Sequence, residues 1–291
     1  MIPRDLIRQV RRIEITTTRL VNDLFGGEYE SVFKGRGIEF ADVREYVFGD
    51  DIRAIDWNVT ARTGHPFVKQ FVEERELTVF FIIDRSRSTL FGTRDKLKSE
   101  AMAEICALLA FSATQNNDKI GCVLFSDAVE RVIPPKKGKQ HVLRVVREVL
   151  YQDIQGRRSN LTDALEYALR ILTRSAVLFV ISDFQAQGFE KTLSVAAARH
   201  DVIALCVADP VERELPSCGL MELEDPETDE RVLIDTGARS VREAYTRMMQ
   251  ERRVARDTVF RKLAVDKIEL EIGQSYVEPL FRFFKERARR R

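Results

Sequence analysis

The spacing of hydrophobic positions changes at residue 77. Upstream, Leu6, Ile7, Val10, Ile13, Leu20 and Leu24 recur at helical steps and predict an amphipathic helix over residues 4–24. The glycines of "FGGEYESVFKGRG" end it. Residues 38–72 mix charge and aromatics without a clean period, which predicts short strands and turns around the only tryptophan, Trp57. From residue 77, unbroken apolar runs alternate with helical ones. "LTVFFIID", "KIGCVLFS", "SAVLFVISD" and "DVIALCVAD" read as buried strands. "AVERVIPPKK" reads as an edge strand, because Pro134 and Pro135 cannot donate to a ladder. Helical periodicity covers residues 96–116, 139–153, 160–173 and 188–200. "GLMELEDPETDERVLIDT" alternates on either side of a turn and predicts a hairpin. A charged helix over 239–264, the strand "DKIELEI" and a last helix over 276–288 complete the pattern.

Buried strands alternating with helices of this length predict an α/β fold. Its centre is a Rossmann-like parallel sheet with helices on both faces. An N-terminal helix and a small irregular or β segment precede it. The expected division is residues 1–75, packed on the main domain, and residues 76–291, the main domain with its C-terminal hairpin and helices.

With 291 residues, 44% of them hydrophobic, the chain can bury a sizeable core. A formal net charge of +1 gives no global attraction to nucleic acid or anionic surfaces. The basic stretches "RQVRRIE" and "KERARRR" read as solvated, with nucleic-acid binding through the second as an alternative. No run approaches the roughly 18 uncharged apolar residues of a membrane span, and the start has no signal-peptide core. Cys106, Cys122, Cys206 and Cys218 are far apart with no CxxC pair, so reduced thiols and a cytoplasmic location are expected. His65, His141 and His200 show no metal-ligand or triad spacing. A phosphate-binding GxxxxGK[ST] loop and a GxSxG elbow are both missing from the sequence, and "KGRG" reads as a turn. No catalytic set for acyl or hydride transfer is present.

The chemistry concentrates where apolar strands stop. In an open parallel sheet, ligands bind beyond the carboxyl ends of the strands. Asp84, Ser86 and Ser88 follow the first strand, and Asp183 ends "VISD". Ser159, Asn160 and Thr162 open a helix in "RRSNLTDAL". Side chains two apart in an extended loop share a face, so Asp84, Ser86 and Ser88 can converge while Arg85 and Arg87 point elsewhere. Two carboxylates with neutral hydroxyls suit a hard divalent cation that keeps some of its waters. Individually the same residues have plainer readings: Ser159 or Asn160 as a helix cap, a strand-end aspartate as a turn former.

Asp84-Arg85-Ser86-Arg87-Ser88 resembles the DxSxS motif of von Willebrand factor A-type domains, where it belongs to the metal-ion-dependent adhesion site. The resemblance implies metal ligation by Asp84, Ser86 and Ser88, with Asp183 as the third motif's aspartate. The second motif, usually threonine, falls on Ser159, ahead of Ala164 and Leu165, with Thr162 as a competing candidate. The upstream block "GRGIEFADVREYVFGDDIRAIDWNVTARTGHPFVKQF" and the later "DPETDERVLIDT" are similar to domain of unknown function 58 proteins. Those proteins carry a von Willebrand factor A-like domain and are often encoded beside MoxR-type AAA+ ATPases. The implied function is a non-enzymatic interaction module. It would bind partner carboxylates through magnesium, with manganese or calcium as substitutes. The implied partners are a MoxR-type ATPase or other von Willebrand factor A-domain proteins. A metal-dependent phosphoester hydrolase is the enzymatic alternative. Within the upstream block, Asp50, Asp51, Arg53, Asp56 and Arg62 lie among Tyr46, Trp57 and Phe67. They read either as an internal ion-pair network or as a partner surface.

Overall fold

The computed structural model describes residues 39–72, 77–151 and 156–290. The helix expected over residues 4–24 lies outside them. The chain divides into two compact units, with Phe33–Glu76 forming the smaller.

In the smaller unit, strands β1 (Glu39–Glu45) and β2 (Phe67–Val72) pair antiparallel, with a register shift between Phe40 and Asp42. A short helix, α1 (Trp57–Thr63), stands between them where only turns were expected. Asp56 starts it by accepting from the backbone N–H groups of Asn58 and Val59, and left-handed Gly64 ends it. Asp51 likewise accepts from the Arg53 N–H. These two carboxylates are therefore backbone caps. A bidentate ion pair joins Asp50 to Arg44, which lies outside the expected set, at 2.7 Å on each arm. Trp57 is exposed, and among the described residues of this unit Ile55 and Val68 are buried.

The larger unit is built on a six-stranded sheet. Its strands are β3 (Thr78–Asp84), β4 (Lys119–Phe125), β5 (Val129–Lys136), β6 (Val177–Ser182), β7 (Asp201–Ala208) and β10 (Asp266–Glu271). They run in the order β10-β7-β6-β3-β4-β5. All neighbours are parallel except β4 and β5. The proline-bearing β5 is an antiparallel edge, as its sequence predicts. Gly121 lets it approach, since a Cβ there would lie 2.8 Å from the Ile133 carbonyl oxygen.

The helices are α2 (Lys98–Gln115), α3 (Lys139–Tyr151), α4 (Leu161–Ile171), α5 (Glu190–Arg199), α6 (Arg239–Lys262) and α7 (Val277–Arg290). Alternate residues of β3 serve two cores. Phe80 and Ile82 join Leu165 and Ala168 of α4, Leu193 of α5 and Phe260 of α6 in one apolar cluster. Val79, Phe81 and Ile83, equally buried, face the other way, the side where α2 packs on the sheet. The alanine-rich α2 is buried along almost its whole length. The expected hairpin is present as β8 (Leu220–Glu224) and β9 (Arg231–Asp235).

The basic C-terminus departs from a freely solvated tail. Residues up to Arg290 are in α7, and buried Arg287 pairs with Asp201 and, at 3.0 Å, with Asp266. Among the cysteines, Cys106, Cys122 and Cys206 are buried and unbridged, and Cys218 is exposed. Among the described residues, no helix is long and apolar enough to cross a membrane.

Candidate functional site

Parallel pairing puts the ends of β3 and β6 side by side, so the residues that follow them share one rim. Asp84, the last residue of β3, is fully buried. Its Oδ1 accepts from the Ser86 N–H at 2.8 Å, a turn-forming contact. Its Oδ2 accepts from Ser159 Oγ at 2.6 Å and from Ser182 Oγ at 2.8 Å. The hydroxyls of Ser86 and Ser88 lie 3.0 Å apart, and Ser88 Oγ donates to Asp183 Oδ2 at 3.1 Å. All five residues expected from sequence therefore meet in one hydrogen-bonded cluster.

Around the helix start Ser159, Asn160 and Thr162 make different contacts. Asn160 is the cap of α4, accepting from the Asp163 N–H. Ser159, one residue earlier, is free to reach Asp84. Thr162 points away and donates to the Gly188 carbonyl at 3.4 Å. Gly156 fits the approaching loop against the turn between β4 and β5: a Cβ there would lie 2.8 Å from the Asp127 backbone nitrogen. Asp127 then accepts from the N–H groups of Arg157 and Arg158.

Three further residues complete the rim, and none was identified from sequence. Ser182 ends β6, holds Asp84 and accepts from the Phe184 N–H at 3.0 Å. Its position next to Asp183 was the only available signal. Lys98, first residue of α2, is fully buried, its ammonium 3.0 Å from Asp183 Oδ2 and 2.5 Å from Glu212 Oε1. Glu212 accepts in turn from the Asp209 N–H. The Lys98–Glu212 pair spans 114 positions, so no local pattern announces it.

The electrostatics follow from burial. Burial pushes the Asp84 carboxyl above its ordinary value, and the nearby Asp183 charge adds to the effect, while Ser159 and the Ser86 N–H oppose it. Burial also pushes Lys98 down, but the carboxylates of Asp183 and Glu212 outweigh it and hold the ammonium charged. Glu227, at the hairpin tip, is raised by burial and then by the charges of Asp183, Asp225 and Asp84.

The hairpin tip is tied to two of the rim's loops. Arg87 donates to Asp229 Oδ1 at 2.9 Å, and Arg157 to Asp229 Oδ2. Beside the rim lies a cavity of about 660 Å³, lined by Ser88, Asp183, Glu212 and Glu227 and by Met249 and Arg256 of α6. Among the described residues, no three His, Cys, Asp or Glu side chains are grouped to hold a metal. The rim's donor set is instead two carboxylates with hydroxyls, hard oxygens throughout. That chemistry fits magnesium, which takes oxygen ligands and keeps several waters.

Fold and rim together define a mixed α/β protein with a mostly parallel sheet and an oxygen-rich cluster at its carboxyl edge. The chain belongs to the family described as protein of unknown function DUF58, whose model matches residues 42–255. The uncharacterized protein Rv1480 of Mycobacterium tuberculosis is 32% identical over 226 residues, covering 77% of this chain and 71% of that protein. Solved structures are more distant. An aerotolerance-related membrane protein from Bacteroides fragilis aligns over 74% of this chain and 100% of its own, at 14% identity and a TM-score of 0.48. The SpRpn10 VWA domain aligns over 46% of this chain and 76% of its own, at 13% identity and a TM-score of 0.36. Neither likeness is close enough to bear on function.

Proposed function

We propose that this chain is a cytoplasmic, non-enzymatic interaction module with a von Willebrand factor A-like, Rossmann-type sheet. Its rim would hold a divalent cation, magnesium in the first place and manganese or calcium as substitutes. Through that cation it would take a carboxylate of a partner protein. The observation that carries this reading is the convergence of Asp84, Ser86, Ser88, Ser159 and Asp183, drawn from three loops up to 99 positions apart (183 − 84), into one hydrogen-bonded set.

Each residue has a definable part. Asp84 and Asp183 supply negative charge, and the serines supply neutral oxygen at the mouth, where Ser88 and Ser159 are only half-buried. Ser182 and the Ser86 N–H fix the Asp84 carboxylate so that it is already oriented. When bound, a divalent ion would supply the positive charge to which an incoming carboxylate coordinates. The adjoining cavity gives room for the residues flanking that carboxylate. The resemblance to domain of unknown function 58 proteins points to a MoxR-type AAA+ ATPase, or another von Willebrand factor A-domain protein, as that partner.

The test is affinity capture from native cytosol with magnesium and with chelator, using wild type and Asp84→Ala. Capture that needs both magnesium and Asp84, by a variant with unchanged circular dichroism, is the expected result. A partner retained equally in chelator rejects the reading.

A further inference from the structure

Lys98 is hard to account for as a packing residue. It is the first residue of α2, where the helix dipole disfavours a cation, and its side chain is wholly buried. A lysine with no water contact persists only where carboxylates compensate it. Here two do, and they are not equivalent. Asp183 Oδ2 is the oxygen that also receives the Ser88 hydroxyl, so it faces the rim's hydroxyl pair. Glu212 lies on the far side of Lys98 and is itself fixed by the Asp209 N–H and by the turn Pro210–Glu212.

The geometry points to Lys98 as the resident cation of this rim, in competition with a divalent ion for Asp183, with Glu212 as its second seat. This rests on the metal-site reading above and adds its regulation. With the ammonium shared between Asp183 and Glu212, the Asp183 charge is already partly compensated and less negative charge is available to a dication. With the ammonium held by Glu212 alone, Asp183 Oδ2 is released toward Ser88 and the rim regains both charges. Lys98 stays buried and paired in either seat, so the exchange exposes no charge. The rim is then tuned for weak, reversible loading. Any contact that draws Lys98 toward Glu212, which lines the same cavity as Asp183, favours the loaded form.

Lys98→Met alone would strand two buried carboxylates, so the informative variant is Lys98→Met/Glu212→Gln, which removes the ammonium and its second seat together. Titration of the full chain with manganese chloride, followed calorimetrically, should show the double variant binding about tenfold more tightly than wild type, the effect of losing one charge-assisted competitor. Equal affinity in both overturns the competition and leaves the metal site standing. Binding by neither overturns the metal site and this inference with it. A gain that survives addition of Asp84→Ala places the ion elsewhere and also overturns it. Should the double variant fail to fold, the wild type carries the test through the ¹⁵N resonance of its buried lysine ammonium. That resonance should shift as magnesium is added. An unmoved ammonium signal in protein that calorimetry shows to be loaded rejects the exchange.

Discussion

Ser182 and Asp84 end neighbouring parallel strands, and the Ser182 hydroxyl donates to Asp84 Oδ2 at 2.8 Å inside the buried part of the rim. The contact links the strand that ends in Asp84 to the strand that Asp183 follows. It satisfies a carboxylate oxygen on a fully buried side chain, and the same hydroxyl accepts from the Phe184 N–H. Ser182→Ala is therefore expected to cost about 2–3 kcal/mol in denaturant unfolding, because it leaves a charged acceptor short and a buried N–H unpaired. Ser159→Ala, at a half-buried donor, should cost about 1 kcal/mol. The reverse ranking would show that Ser182 is incidental to the Asp84 environment.

The hairpin tip should behave differently. Asp229 is held by Arg87 and Arg157, but all three side chains are more than a third exposed. Pairs of that kind add less than about 1 kcal/mol to global stability. Asp229→Ala should leave the unfolding midpoint nearly unchanged while amide exchange at residues 225–229 speeds up. Unaltered exchange there would mean that the turn holds itself without the two arginines.

Arg287 is a test of how the last helix is fastened. It is 8% exposed and bridges Asp201 at the start of β7 to Asp266 at the start of β10. Arg287→Met should destabilise by about 2 kcal/mol, less than a fully buried pair because both carboxylates are partly solvated. Exposed Arg289→Ala in the same turn of helix should stay within about 0.5 kcal/mol of wild type. Thermal melts of the two variants compare them directly.

Acid sensitivity should trace partly to His200. Burial, and then the charge of Arg199, holds its imidazole below the ordinary value of 6.5. Neither ring nitrogen has a hydrogen-bond partner among the described residues. A depressed histidine favours the folded state fully above its unfolded value and loses that contribution as pH falls through the folded one. Wild type should therefore lose melting temperature on acidification below 6.5, and His200→Leu should lose less of it. His141, also depressed by burial, has the same sign and should leave a residual slope. Parallel pH profiles for wild type and His200→Leu would exclude His200 as the source.

The framework was legible because the buried strands carry it. β3, β4, β6 and β7 are continuous apolar runs, and such runs separated by helical periods leave little but a parallel sheet with covered faces. Pro134 and Pro135 marked the edge. The five rim residues were legible because each sits where an apolar run stops or a helix starts. α1 was not, because it has seven polar-rich residues and owes its existence to the Asp56 cap more than to an apolar stripe. The capping parts of Asp51 and Asp56 were not legible for a related reason: an aspartate two or three residues before a backbone N–H is as readily a cap as a salt-bridge partner. Lys98 and Glu212 were not legible because only the folded chain brings them together.

The strand order has a consequence for how the chain is made. β3, the first strand of the large sheet to be synthesised, lies in its interior, and β10, the last, is an outer strand beside β7. Until residue 271 has left the ribosome, β7 presents an open row of backbone donors and acceptors to the surroundings. A nascent or truncated chain ending before β10 would therefore be a sticky intermediate, poised to recruit a foreign strand. Pairing with β10 is what takes β7 into the interior of the sheet.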